Sequence, residues 1–350
     1  MISATMAMEG VAEVSLQMAK QALMAERWTE AVGFAERGAA ADANGAGELI
    51  AVASLRLARR AALEGDFAGA VKLAETACTA DPRSDAARRR LALLRKAAGR
   101  VSRVAGSGHF PDTIGMTSGQ WWKGDLLRAV RGWDDQGASV PAPTIMAEVI
   151  REHLEDIYAL GIYRPWHDGI PPKFTQYVRE LKKQGATVEQ AAILLYQGLT
   201  RDVQSSAPGW IEQIDAIVPM ATGWRSYEER GREITEDLAD GLAAMLCVPC
   251  VDIFERSADA TPTHQLSGYE VRVEAIVSEL RLKNTGGELL RDASGVLIVD
   301  DVVTYGSTFE ACARKIREVY PQMHCWGAAL AYTQTASRLE KVERETNERG

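Results

Sequence analysis

The sequence predicts a multidomain chain, all-α in its N-terminal part and α/β with a parallel sheet in its C-terminal part. Three observations predict it. The first hundred or so residues are rich in alanine and repeat a helix–turn–helix pattern at a spacing of 39. From Ile214 onward, short apolar runs alternate with longer helical stretches, the pattern of parallel strands joined by helices. The most apolar of these runs, Val296-Leu297-Ile298-Val299, ends in two adjacent acids, then a glycine turn and a helix start. A chain of 350 residues has room for roughly two or three domains.

Composition sets the class. A hydrophobic fraction of 46% and a charged fraction of 25% belong to a globular chain that buries a core. The net charge of −8 gives no support to general nucleic-acid binding. Five cysteines, an odd number scattered along the chain, fit a reducing interior rather than a disulfide framework. Met1 to Glu13 has no basic start before an apolar run, and no stretch approaches the ~20 apolar residues of a membrane helix. The expectation is a cytoplasmic protein with no membrane partner.

Residues 1–105 read as helices. Val11 to Met24 and Leu49 to Leu63 are apolar helical stretches, each followed by a second helix. Trp28-Thr29-Glu30-Ala31-Val32 aligns with Phe67-Ala68-Gly69-Ala70-Val71, and Ala41-Asp42 with Ala80-Asp81. Gly65-Asp66-Phe67 and Asp81-Pro82 sit where turns and helix starts are expected. The unit resembles a tetratricopeptide pair, lengthened beyond ~34 residues by the Asn44-Gly45-Ala46-Gly47 insertion. That resemblance implies a surface that holds a protein partner; a cap or dimerising element for the rest of the chain is the other reading. Arg88, Arg89, Arg90, Arg95, Lys96, Arg100 and Arg103 crowd the last helix, where a solvated face is the plainer reading than a phosphate site.

Residues 106–212 read as a mostly helical middle or hood region. Loop material occurs at Gly132 to Gly137, Pro141 to Pro143 and Pro165 to Pro172, with amphipathic helices over Met146 to Leu160, Thr175 to Gln184 and Val188 to Gln197. The tryptophans between Trp121 and Trp210 are core material, and His109, His153 and His167 lack metal-ligand spacing.

Residues 213–335 carry the alternating pattern, and 336–350 form a charged tail. Strand-like runs are Ile214 to Met220, Val248 to Phe254, Val296 to Val299 and Cys325 to Tyr332. Helical stretches are Ser226 to Leu246, Leu266 to Leu282 and Ser307 to Tyr320. A buried strand thus delivers Asp300 and Asp301 to its C-terminal end, where ligands of parallel sheets bind. Val302, Val303, Thr304, Tyr305, Gly306, Ser307 and Thr308 then form a small hydroxylated turn into a helix. Its backbone N–H groups and hydroxyls make a cradle for a phosphate monoester. Two acids beside a phosphate site repel the ligand unless they bind hydroxyls or a cation, which implies ribose and Mg²⁺.

This string resembles the signature of type I phosphoribosyltransferases, Asp-Asp, two residues, Thr-Thr-Gly-x-Thr, with Tyr305 in place of the second Thr. The resemblance implies that Asp300 and Asp301 grip the ribose hydroxyls of 5-phosphoribosyl 1-pyrophosphate and touch Mg²⁺ through water. Val218-Pro219-Met220 with Arg225 to Gly231 resembles the Pro-Val-Pro and Arg-x-Arg-Gly segment of ComF-like members. Arg256, Thr261-Pro262, Gln265-Leu266-Ser267 and Arg272 resemble a later segment of theirs. By that likeness Arg225 and Arg230 hold pyrophosphate, and Arg256, Gln265 and Arg272 belong to a mobile closing loop. The chain departs from the family at Tyr305, at the asparagine usual near Gly231, and in carrying no four-cysteine zinc module at its start.

Cys247-Val248-Pro249-Cys250 has no second pair to complete a zinc site and does not open a helix, so the two cysteines read as small buried hydrophobes. The function expected is phosphoribosyl transfer to an acceptor the sequence does not identify. The alternative is a non-catalytic module that senses this donor or serves DNA uptake or defence, with the helical repeats holding a partner or a second copy. Nucleic acid is the less favoured partner.

Overall fold

The computed structural model describes residues 2–40, 45–106, 152–163, 173–184, 188–203, 210–220, 234–256, 268–283, 290–291 and 293–333. The chain divides into two compact units, Met1–Ser102 with Ala244–Cys247, and Arg103–Ala243 with Val248–Gly350.

The first unit is helical: α1 (Ile2–Met24), α2 (Trp28–Ala40), α3 (Ala46–Leu63), α4 (Phe67–Ala80) and α5 (Asp85–Gly106). Alanine does the packing. Ala19, Ala22, Ala31, Ala35, Ala53, Ala70, Ala74 and Ala77 have no exposed surface, and a methyl at each crossing lets neighbouring helices approach closely. The repeat is visible in the backbone. After α1 the chain turns at Glu26 (φ 57°), and after α3 it turns at Gly65 (φ 84°). The next amide then reaches back over the turn, Arg27 to the Ala22 carbonyl and Asp66 to the Ala61 carbonyl, each at 2.8 Å. Asp66 also caps α4 by accepting from the Gly69 amide at 2.8 Å, a contact worth about 1 kcal/mol.

The second unit is built on a parallel sheet. Its elements are β1 (Asp156–Tyr163), α6 (Lys173–Gln184), α7 (Val188–Gly198), β2 (Ala216–Pro219), α8 (Ile234–Leu246, counted with the first unit from Ala244), β3 (Phe254–Arg256), α9 (Tyr269–Glu279), β4 (Leu280–Leu282), β5 (Gly295–Val303), α10 (Ser307–Val319) and β6 (His324–Thr333). Strand order is β1-β6-β5-β2, every pairing parallel, while β3 and β4 form a separate antiparallel pair. Val296, Leu297, Ile298 and Val299 are wholly buried, as strands covered on both faces must be.

Three expectations change. Met146 to Leu160 reads as an amphipathic helix, yet Asp156–Tyr163 is a strand paired along β6, from Asp156 opposite Trp326 to Tyr163 opposite Thr333. The reason lies in Ile157, Tyr158 and Ile162, whose branched and aromatic side chains suit a pleated surface once a neighbouring strand is offered. Most of Val248 to Phe254 forms no strand; Cys250 makes one isolated bridge to Ile217 before β3 begins. The helix expected over Leu266 to Leu282 stops at Glu279, where Leu280 turns extended and enters β4. Among the described residues no helix is long and apolar enough to cross a membrane.

Candidate functional site

The site grows from the end of β5. Its apolar residues bury the strand in the core, and Asp300 follows immediately, opposite Ala329 of β6. Beyond Val303 the chain turns at Thr304 and Tyr305, and Gly306 takes a left-handed conformation (φ 78°) that a side chain would strain. Gly306 is the residue before α10, and no side chain caps that helix. The first amides of α10 therefore face the turn without a side-chain acceptor at the cap, the arrangement that receives an anion.

A cavity of about 400 Å³ lies here, lined by Asp300, by residues 302–309 and by Arg272. Arg272 stands in the first turn of α9, and its guanidinium carbon is 4.2 Å from the Tyr305 ring centroid. Tyr305 is 36% exposed, with its ring against the Arg272 guanidinium. A cation and a positive helix end meet at one mouth. Two ties fix α10 in place. Arg314 on α10 pairs with Glu274 on α9 at 2.5 Å, and Glu310 accepts from the His153 amide at 2.9 Å and lies 2.8 Å from its Nδ1.

The two acids are not equivalent. Asp300 lines the cavity while Asp301, 8% exposed, meets Lys182 Nζ at 3.3 Å, and the two carboxyl groups hydrogen-bond each other. Burial pushes the Asp300 carboxyl well above the ordinary carboxylate range, and the charge of Asp301 adds to the effect. The Asp301 amide, donating to Asp300 Oδ1 at 2.7 Å, works against it. The hydroxyl of Thr304 bonds the Thr333 hydroxyl at 3.1 Å, which ties the turn to the end of β6. Ser307 is buried at the start of α10.

The other residues singled out in the sequence fall elsewhere. Arg256 stands in β3, 13% exposed, and pairs with Glu279 at 3.0 Å. Arg256 and Arg272 thus occupy regular elements at either end of the segment read as a closing loop. Arg225, Arg230 and Gln265 lie outside the described residues, as do the tail over 336–350 and most of the middle region. Cys247 is buried and Cys250 half-buried, both free; burial pushes the Cys247 thiol up to about 12. Sequence reasoning missed Lys182, which sits in an ordinary amphipathic helix with no motif around it. Among the described residues no group of three or more His, Cys, Asp or Glu side chains converges as a metal cage. No family model matches the chain, and no curated protein matches it.

Proposed function

We propose that the second unit binds 5-phosphoribosyl 1-pyrophosphate with Mg²⁺ and transfers its phosphoribosyl group to an acceptor. The observation that carries this reading is the cavity at the end of β5, where Asp300, a glycine turn, an uncapped helix start and Arg272 line one space. The phosphate loop supplies backbone amides for the 5-phosphate, and Arg272 adds a cation beside them. Asp300, lining the same cavity, would take the ribose hydroxyls. Substitution at the ribose C1 passes through an oxocarbenium-like centre and asks little covalent help of the protein. Holding the sugar, steadying the phosphate and excluding water supply most of the catalysis. Two carboxylates fit a Mg²⁺ that arrives on the diphosphate and keeps much of its water, not a resident ion in a protein cage. When bound, that ion would neutralise the leaving diphosphate, with Asp300 and Asp301 reaching it through water.

One observation favours the non-catalytic alternative: Asp301 is engaged by Lys182 instead of lining the cavity. The test separates the two readings. Asp300→Asn with Asp301→Asn should abolish donor binding by calorimetry while circular dichroism stays unchanged. Equal affinity in the double variant and the parent would sink the phosphoribosyl reading. Release of diphosphate from bound donor then distinguishes transfer from sensing.

For the first unit we propose a tetratricopeptide-like scaffold that holds a protein partner or a second copy. Its support is the repeated hairpin, together with a cleft of about 390 Å³ lined by Lys20, Leu23, Met24, Trp28, Val52 and Arg56.

A further inference from the structure

We infer that Lys182 is the resident counter-ion of the acid pair and decides what the pair accepts: sugar hydroxyls, not a divalent metal in direct contact. The sugar half of this inference rests on the phosphoribosyl reading; the metal half does not. A carboxylate as buried as Asp301 needs a partner that satisfies its charge. The structure supplies one from a different part of the chain, the ammonium of Lys182 at 3.3 Å.

The packing of α6 and one ring contact place that ammonium. Helix α6 buries Phe174, Tyr177, Val178 and Leu181. Phe174 packs on β1 at Gly161, where an added Cβ would come within 2.6 Å of the ring, so only glycine lets the helix lie this close. The Lys182 ammonium then sits 5.8 Å from the Tyr163 ring centroid, at the end of β1. Lys182 is about one-third exposed, and its ammonium lies between the Tyr163 ring and the Asp301 carboxylate.

The chemical consequence follows from charge alone. A divalent ion held directly by both carboxylates needs both negative charges and would sit beside a fixed positive one. Hydroxyl groups bring no charge. They donate to the carboxylate oxygens that Lys182 leaves open, and a metal carried on a diphosphate can still be met through water. The segment between the two units of sequence pattern, residues 106–212, thereby contributes a specificity-determining residue to the site.

The experiment titrates the full chain with Mn²⁺ alone, reading free ion by electron paramagnetic resonance. The parent should bind weakly at this site, and Lys182→Met should lower the dissociation constant at least tenfold. Lys182→Arg should behave as the parent, and adding Asp301→Asn to Lys182→Met should erase the gain. Lys182→Gln gives the same reading should the Met side chain disturb packing, with the circular dichroism of each variant checked first. Identical Mn²⁺ affinity in the parent and in both neutral variants would overturn the inference. In a parallel arm, ribose 5-phosphate binding is measured by calorimetry without metal. Mn²⁺ should compete with it in Lys182→Met and not in the parent. A parent that fails to bind ribose 5-phosphate defeats the phosphoribosyl reading, while the Mn²⁺ arm still judges Lys182.

Discussion

Tyr305 is the single departure inside the motif, and its ring has a partner that the sequence does not reveal. A ring in place of a small hydroxylated side chain either turns to solvent, leaving the phosphate to the backbone, or lies across the pocket mouth and stacks on a neighbour. In the structure the ring lies 4.2 Å beneath the Arg272 guanidinium. A partly exposed contact of this kind is worth about 0.5–1 kcal/mol, and its product is a cation held at the cavity. Tyr305→Leu should therefore loosen ribose 5-phosphate roughly two- to fivefold, and Arg272→Met should loosen it further than that. Combined, the two should fall short of additivity by about 0.5–1 kcal/mol. Strict additivity in that double-mutant cycle would show that the ring does not position Arg272. The cysteines give a second prediction at this scale. Cys247 and Cys325 have their thiols pushed up to about 12 by burial, against an ordinary value of 9.0. They should resist a thiol reagent at pH 8 in the native chain and react on unfolding. Because the unfolded thiols ionise first, these two groups favour the fold below pH 9.0 and that advantage is lost between pH 9.0 and about 12. Urea midpoints measured across that range should fall, and Cys247→Ala should flatten the decline. The acid pair and the glycine turn were legible in the sequence because each needs a particular residue type at a particular spacing. The partner of Asp301 was not, since a lysine in an amphipathic helix carries no mark of what the fold brings near it.

The helical hairpins were read almost to their ends. Trp28 and Phe67 open α2 and α4 as the alignment predicts, and the left-handed turn residues Glu26 and Gly65 keep the same spacing of 39. These turns differ in one respect that can be measured. Glu26 holds at φ 57° a conformation that costs a side-chain-bearing residue roughly 1 kcal/mol or more, while Gly65 pays nothing for the same turn. Glu26→Gly should leave the first unit's urea stability unchanged or raised by up to about 1 kcal/mol. Gly65→Ala should lower it by about 1 kcal/mol. Opposite signs at two equivalent positions would show that the hairpins share a turn; equal effects would show that they do not. Strand β1 was the failure at this scale. The residues preceding it, Glu152 to Glu155, continue the apolar spacing of a helix, and local periodicity cannot see β6 more than a hundred residues away. Tertiary pairing overrode a pattern that was real.

At the scale of the whole chain, the α-then-α/β order was legible from the change in period at Ile214, and the role of the preceding region was not. Its strand pairs with β6, at the edge of the sheet among the described residues, and its helix α6 brings Lys182 to Asp301. The sheet order has a further consequence, for the life of the nascent polypeptide. Asp156 lies opposite Trp326, a separation of 170 residues, and β6 is the strand that joins β1 to β5. On the ribosome β1 emerges early and waits; at ~5–20 residues per second that wait is roughly 10–30 s. An apolar strand without its neighbour is a hazard for aggregation during such an interval. A translation product halted before His324 would hold β5 and β2 but nothing to bridge them to β1. Truncated chains of this protein should be found with proteases and chaperones rather than as folded protein, and β6, the last strand among the described residues, acts as the quality check on the strands made before it.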